Sequence, residues 1–253
     1  MLREDAKSRT SLCIGWGPTQ SALERWALDA RGVVDLAKRG PRGDIDKERI
    51  LRAAETLLEE NGVVEGISLR GLAAELGVAT NPIYTYFSSL EEIWHDLADE
   101  RLGMIGVPEL VNRPCRHCAM REMRARGRSV VEKPGTLSLL RRQPVLGPHS
   151  LALSEAVMTL LEESPIGARN AHDLIVSWLY GAVLRESEGW GNAVGELGAS
   201  RLESDFPRLM SSELPDSSIQ FEALLRGIDL TCIGADTCYR TPQLLTRNAV
   251  DSD

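Results

Sequence analysis

The sequence predicts an all-α protein with an N-terminal helix-turn-helix domain of three helices and a larger helical domain behind it. Apolar residues recur at helical spacing through most of the 253-residue chain. No stretch combines alternating polarity with the turn residues that bound strands. The third observation is the segment 68–93, in which two helix patterns are separated by a glycine turn.

The first helix of the small domain is expected from about Asp46 to Glu60. Asn61 and Gly62 follow it directly, and both residue types favour a helix end. The apolar stripe of this helix consists of Ile50, Leu51, Ala54, Leu57 and Leu58.

The next three helices are indicated by their end signals. Ser68 can cap the second helix, and Gly77 supplies the left-handed residue that would end it. A short third helix carries Pro82 in its first turn, where a missing N–H matters little. Ser89 and Glu92 have the spacing of a capping box and open a fourth helix. A second helix behind a tight turn is the element that enters the DNA major groove in helix-turn-helix proteins, so DNA binding is predicted.

Composition narrows the class of protein. No apolar run approaches the roughly 20 residues that a membrane span requires, and no signal peptide is evident. Five cysteines do not resemble a secreted disulfide framework, so we expect a cytoplasmic protein. The chain has four histidines and no nucleophile–base arrangement, which disfavours an enzyme. We expect neither a cofactor nor a bound metal.

The segment 68–93 resembles the TetR family of bacterial transcriptional regulators. The family pattern runs Thr/Ser-x-Arg-x-Leu-Ala-x-x-Leu-Gly-Val, then four variable residues, then Leu-Tyr-x-His/Tyr-Phe and the start of a further helix. The matching residues are Ser68, Arg70, Leu72, Ala73, Leu76, Gly77, Val78, Ile83, Tyr84, Tyr86, Phe87, Glu91 and Ile93. The match covers about a fifth of the chain. Its specificity comes from the two motifs occurring at the right distance.

Polar residues of the third helix are the candidates for reading DNA. Asparagine can bond adenine with both ends of its amide, and threonine can meet a base edge or a thymine methyl. The resemblance adds phosphate contacts from the two tyrosines and from the start of the second helix. The expected DNA-contacting residues of this unit are Ser68, Arg70, Thr80, Asn81, Tyr84, Thr85 and Tyr86. Alternatively, Tyr84 belongs partly to the core, where Ile83 and Phe87 are expected.

Charge points to an additional DNA-binding arm. The net charge is −8, and residues 45–100 contain twelve acidic and four basic side chains. The family's usual lysine at the start of the fourth helix is Leu90, and Pro82 replaces a common hydroxyl residue, so two phosphate contacts are missing. Arg39 and Arg42 lie on a Gly/Pro hinge just before the first helix and could supply the missing attraction.

These arginines belong to an N-terminal extension, residues 1–44, that precedes the helix-turn-helix domain at 45–101. Helical spacing predicts an extra amphipathic helix over 20–38. The alternative is a disordered leader whose charge is incidental.

The C-terminal part is predicted to be helical over 150–163, 168–187 and 218–233, because apolar residues recur there with a helical period. Residues 106–148 are rich in arginine, proline and glycine, and we expect short helices there, broken by Pro114, Pro134, Pro144 and Pro148.

Three stretches of this part resemble the ligand domain of tetracycline-repressor-type proteins, namely 177–186, 206–209 and 221–228. The resemblance implies a ligand-binding and dimerisation domain over 102–240, followed by a mobile tail at 241–253. Met158, Trp178 and Phe206 are the candidate ligand contacts in an apolar pocket, with core packing as the alternative for each. An effector of apolar or aromatic character is expected.

Cys115 and Cys118 have the spacing of metal ligands, with His117 between them. A structural zinc needs four ligands, and no second such pair is present. A zinc site, a redox-sensing pair and unremarkable thiols therefore remain open.

Two hypotheses of function follow. The first is a ligand-responsive repressor that binds a palindromic operator as a homodimer and releases it when a small molecule binds. The second is an activator, a ligand-independent regulator or a cysteine-based redox regulator on the same scaffold. No membrane partner is expected.

Overall fold

A computed structural model describes residues 45–187, 207–210 and 216–231. The N-terminal helix expected at 20–38, Arg39, Arg42, Phe206 and the C-terminal tail lie outside these residues. Every regular element in the described part is a helix, which confirms the predicted fold class. The helices are α1 (Lys47–Asn61), α2 (Leu69–Leu76), α3 (Thr80–Ile83), α4 (Leu90–Gly103), α5 (Val107–Val111), α6 (Arg116–Val131), α7 (Thr136–Arg142), α8 (Pro148–Leu160), α9 (Ala168–Ser187), α10 (Pro207–Met210) and α11 (Ser217–Gly227).

The predicted helix ends of the first unit are confirmed in detail. The Asp46 carboxylate accepts the Arg49 N–H over 2.7 Å at the start of α1. The Ser68 hydroxyl accepts the Gly71 N–H over 3.1 Å at the start of α2. Gly77 ends α2 in the left-handed conformation, with φ of 68°.

The start of α4 contains a variant of the expected capping box. Ser89 accepts the Glu92 N–H over 3.2 Å, as predicted. The Glu92 carboxylate reaches back one residue further and accepts from the Ser88 N–H over 2.7 Å. Both contacts satisfy backbone donors that the helix cannot satisfy itself.

The region 106–148 differs from the expectation of short helices only. The prolines do bound the helices there, but α6 runs for 16 residues. Its buried stripe includes Ala119, Met120, Met123 and Val130, and its remaining surface carries arginine–glutamate pairs such as half-buried Arg126–Glu122. The high charge concealed the helical period.

The last described helix is shorter than its pattern. The prediction extended it to residue 233, but α11 ends at Gly227. Asp229 takes a positive φ of 58°, which a continuing helix does not allow. Ile228 and Leu230 still face the core from the turn that follows.

Two apolar cores hold the described helices together. The first is built from α1 to α4 and also takes in Leu139 of α7, which is buried, and half-buried Leu140. The second is formed by α5, α6, α8, α9 and α11. Although the sequence placed α7 in the second domain, its side chains therefore complete the first core. None of the helices in the described part is both long and apolar enough to cross a bilayer.

Candidate nucleic-acid interface and ligand cavity

The outward surface of α2 and α3 carries the polar residues expected to meet DNA. Asn81 and Thr85 are exposed, and their spacing of four residues places them on one side of the short helix and the turn behind it. Arg70 of α2 is also exposed, whereas Thr80 is half-buried. Ser68 is exposed, and its hydroxyl proton stays available because the capping bond uses only the oxygen.

The two tyrosines of this unit have different surroundings. The side chain of Tyr84 is 55% exposed, so it projects to the surface rather than into the core. Ile83 and Phe87 are buried, as expected. Tyr86 is half-buried, and its hydroxyl donates to the Ile45 carbonyl over 2.9 Å. Tyr86 thus ties the start of α1 to the turn after α3, and a phosphate would compete for the same donor.

A cavity of about 250 Å³ lies in the second domain. Its wall is mainly aliphatic and aromatic and includes Trp178 of α9, whose ring centroid is 5.1 Å from that of Phe221. Met158, the other described candidate, is half-buried and is not among the lining residues. A cavity of roughly 150 Å³ can hold benzene, so this one suits a ligand somewhat larger than a single ring.

The cavity also reaches α7. Leu137 and Leu140 line it, while Leu139 between them packs in the first core. On its other side, α7 contacts the first domain through polar groups. Ser138 Oγ accepts the Val64 N–H over 3.0 Å, and the Arg142 guanidinium pairs with Glu91 of α4. The hydrogen bond with Glu91 raises the pKa of Arg142, which favours the charged form further. The same short helix therefore touches the cavity and the DNA-binding unit.

A buried arginine joins α1, α4 and the loop before α7. Arg101 on α4 is 1% exposed. Its Nε donates to the Glu55 carboxylate over 3.1 Å. Its Nη1 donates to the Pro134 carbonyl and to the Thr136 hydroxyl over 2.7 and 2.6 Å. Sequence reasoning missed this residue, although its position falls on the apolar stripe of α4, where a charge signals a buried partner.

A buried carboxylate, that of Asp99 on α4, joins α4 to the start of α8. Asp99 accepts the N–H groups of His149 and Ser150 over 3.0 and 2.8 Å. Gly147 approaches so closely that a Cβ there would lie 2.3 Å from the Asp99 carboxyl carbon. Asp99 thus fixes α8 to α4, the helix that leads out of the DNA-binding unit.

The thiols at the start of α6 have a local structural role. Cys115 Sγ accepts the Cys118 N–H over 3.4 Å and so caps α6. His117 Nε2 lies 2.7 Å from the Glu222 carboxylate of α11, so its contact is with another helix. In the residues that the structure describes, no group of three or more His, Cys, Asp or Glu side chains could hold a metal.

The thiol of Cys118 is a poor nucleophile in this setting. Burial, the hydrogen bond with Cys115 and the charge of Cys115 raise its pKa to about 11. Because only the thiolate reacts, we expect Cys118 to react with iodoacetamide at pH 8 about tenfold more slowly than in the urea-unfolded chain, or slower still. Peptide mass spectrometry over pH 7 to 9.5 should show a rate that rises throughout. A plateau below pH 9 would contradict the raised pKa.

The chain has sequence and structural relatives. No protein-family model matches it. It is 27% identical over 172 residues to the HTH-type transcriptional repressor DrrR1 of Streptomyces coeruleorubidus. The alignment covers 65% of this chain and 63% of that protein. The alignment thus spans less than two thirds of the repressor's length.

The described fold is that of a two-domain, all-helical helix-turn-helix protein. Apo ActR from Streptomyces coelicolor matches with a TM-score of 0.61 at 24% identity, over 74% of this chain and 94% of that one. The TetR family protein ActR in complex with actinorhodin matches with a TM-score of 0.57 at 23% identity, over 74% and 96%. The chain has the TetR-family fold, which confirms the resemblance found in the sequence.

Proposed function

We propose that this protein is a ligand-responsive transcriptional repressor, not an enzyme, that binds a palindromic DNA operator as a homodimer and releases it when a small molecule enters the second domain. The similarity to a transcriptional repressor and the fold shared with ActR, which is described with bound actinorhodin, support this proposal. Each subunit offers one recognition unit, so a two-fold dimer suits two half-sites about one helical turn apart or somewhat more.

The observation that carries the proposal is the shared use of α7. A ligand in the cavity would contact Leu137 and Leu140 of α7. Ser138 and Arg142 of the same helix bind it to the DNA-binding domain. A ligand that prefers a shifted α7 would also act on the DNA-binding domain, because Ser138 bonds Val64 in the loop before α2 and Arg142 pairs with Glu91 of α4. Binding energy can change the operator affinity only through such a difference between two states.

In the DNA-bound state, Asn81 and Thr85 would face base edges and Thr80 would lie at the edge of the contact. Ser68, Arg70 and Tyr84 would contact phosphates, since these groups are exposed around the short helix. Tyr86 would act mainly by anchoring the unit through Ile45. The arm with Arg39 and Arg42 remains part of the proposal, since residues 45–100 are strongly acidic.

Single variants should distinguish residues that read bases from residues that contact phosphates, because only the former should affect operator binding alone. We expect Asn81→Ala to weaken operator binding by roughly 1–3 kcal/mol and to leave binding to scrambled DNA nearly unchanged. Tyr84→Phe removes only a hydroxyl and should weaken both DNAs alike. Fluorescence anisotropy at a fixed salt concentration measures the affinity of each variant for the operator and for scrambled DNA. Equal losses on the two DNAs for Asn81→Ala would remove that residue from base reading.

Selection of bound sequences from a random duplex pool tests the whole proposal. We expect enrichment of a palindrome and, with that DNA, release by small two-ring aromatic compounds. A selected sequence without two-fold symmetry would contradict the homodimer. A pool with no enrichment at all would contradict DNA reading by this protein.

A further inference from the structure

We propose that the ligand of the cavity is an amphipathic anion, with an aromatic or aliphatic body against Trp178 and an acidic group at Arg124. This inference rests on the proposed ligand-responsive function for its biological meaning, but not for its physical basis. The body of the ligand follows from the apolar wall, and the acid follows from the charges described next.

In the part of the chain that the structure describes, the arginines around α6 form salt bridges with neighbouring carboxylates, with one exception. Arg113 and Arg126 pair with Glu122, whose pKa falls because the hydrogen bonds from Arg126 and Arg113 outweigh the effect of burial. Arg128 lies 3.1 and 3.3 Å from Glu132 and Glu186. The remaining pairs are Arg116–Glu163 and Arg121–Glu222.

Arg124 is the exception among the described residues. Its Nη2 donates to the hydroxyls of Ser217 and Ser218 over 2.8 and 3.3 Å, and hydroxyls carry no charge. Both bonds use one nitrogen, and a guanidinium has five N–H donors on three nitrogens. The half-buried cation therefore lines an apolar cavity with hydrogen-bonding capacity to spare, within the part of the chain that the structure describes.

The electrostatic surroundings of Arg124 also favour an anion. Ser217 and Ser218 begin α11, and the N-terminus of a helix carries partial positive charge. The nearby Asp216 carboxylate accepts from the backbone N–H groups of Ser218 and Ile219, which lower its pKa most, and the positive charge of Arg124 lowers that pKa further. Asp216 acts on Arg124 through this longer-range charge effect, and it does not line the described part of the cavity. Of the charged groups in the described lining, two are guanidinium groups and one is the Glu186 carboxylate, which Arg128 already holds. The described part of the wall is thus positive by one charge.

Aromatic contacts hold the guanidinium in position beside the apolar wall. The Arg124 Cζ atom lies 5.7 Å from the centroid of the Phe221 ring, and Phe221 packs against Trp178. Such a cation–π contact orients a guanidinium without neutralising it. A planar carboxylate could accept two parallel N–H bonds there while the attached rings pack near Trp178.

The test uses a matched pair of probes, 2-naphthylacetate and its neutral amide, titrated calorimetrically into the full-length protein at pH 7 without DNA. We expect the acid to bind at least about tenfold more tightly than the amide, since a hydrogen bond to a charged partner is the stronger kind. In Arg124→Gln the ratio should fall to about one while the amide binds as before, which shows an intact cavity. Arg124→Lys should keep part of the preference.

Arg128→Gln is the control, because it removes the same charge from the cavity wall but leaves the spare N–H donors of Arg124 in place. The acid should therefore still bind more tightly than the amide in this variant. A wild-type ratio near one, a preference that survives Arg124→Gln, or binding of neither probe at millimolar concentration would overturn the proposal. Because the titration contains no DNA, its failure is distinct from failure of the repressor proposal, which shows itself in the DNA selection.

Discussion

Arg101→Ala should destabilise the protein by about 3 kcal/mol or more. The variant removes a buried cation and leaves Glu55, the Pro134 carbonyl and the Thr136 hydroxyl without their common donor. Loss of one partner from a buried ion pair leaves an uncompensated charge, which typically costs about 3–5 kcal/mol. Lys133 lies 3.5 Å from Glu55 and should keep the loss at the lower end. Urea unfolding followed by circular dichroism gives the free energy of unfolding.

Arg52→Ala provides the matched control for this variant. Arg52 also pairs with a glutamate, Glu48, but its side chain is 62% exposed. An exposed pair of this kind contributes only a few tenths of a kcal/mol. Equal losses in the two variants would show that burial of Arg101 does not govern its contribution.

A double variant tests whether the stability depends on the charges of Arg101 and Glu55 or only on the volume of their side chains. Arg101→Met combined with Glu55→Met replaces both ions with apolar groups of similar length. We expect the double variant to recover much of the stability lost in Arg101→Met alone, because no unpaired charge remains. Losses that simply add would indicate that the bonds to Pro134 and Thr136 dominate instead.

Gly135→Ala should destabilise the protein by about 3 kcal/mol. Gly135 has a positive φ of 77°, which disfavours any L side chain by about 1–2 kcal/mol. A Cβ would also lie 2.4 Å from Leu58, a fully buried residue of α1. Overpacking of that kind adds roughly 1–3 kcal/mol.

Gly66→Ala separates the two contributions. Gly66 has a similar φ of 87°, but nothing lies within 4 Å of its Cβ position. We therefore expect only the backbone component, about 1–2 kcal/mol, in thermal and urea unfolding. If both alanine variants lose the same stability, the loop must move away from Leu58 without difficulty.

The sequence was most informative where structure is determined locally. Capping residues such as Ser68 and Ser89 act within one turn, so their identity alone predicts where α2 and α4 begin. Exposure of Asn81 and Thr85 and burial of Ile83 also follow from periodicity within one short segment.

Contacts between distant segments were not predictable in this way. The bonds of Arg101 to Pro134 and of Asp99 to Ser150 join residues more than thirty positions apart, and no periodicity encodes them. Residues 113–128 contain six arginines, and three of them pair with glutamates of distant segments, namely Arg116, Arg121 and Arg128. Whether Met158 or Trp178 touches a ligand depended on helix packing, which places only Trp178 at the cavity.

The position of Leu139 bears on how this architecture can be recombined. A cut after residue 101 would preserve α1, α2 and α3 of the helix-turn-helix domain. The cut would remove Leu139, whose side chain is part of the core of that domain. Leu58 and Val64 would also lose their neighbours Gly135 and Ser138, and would then meet water or a foreign surface. Modular exchange between regulators of this kind should therefore succeed only when the transferred piece extends through α7. The unit that evolution can move is longer than the unit that recognises DNA.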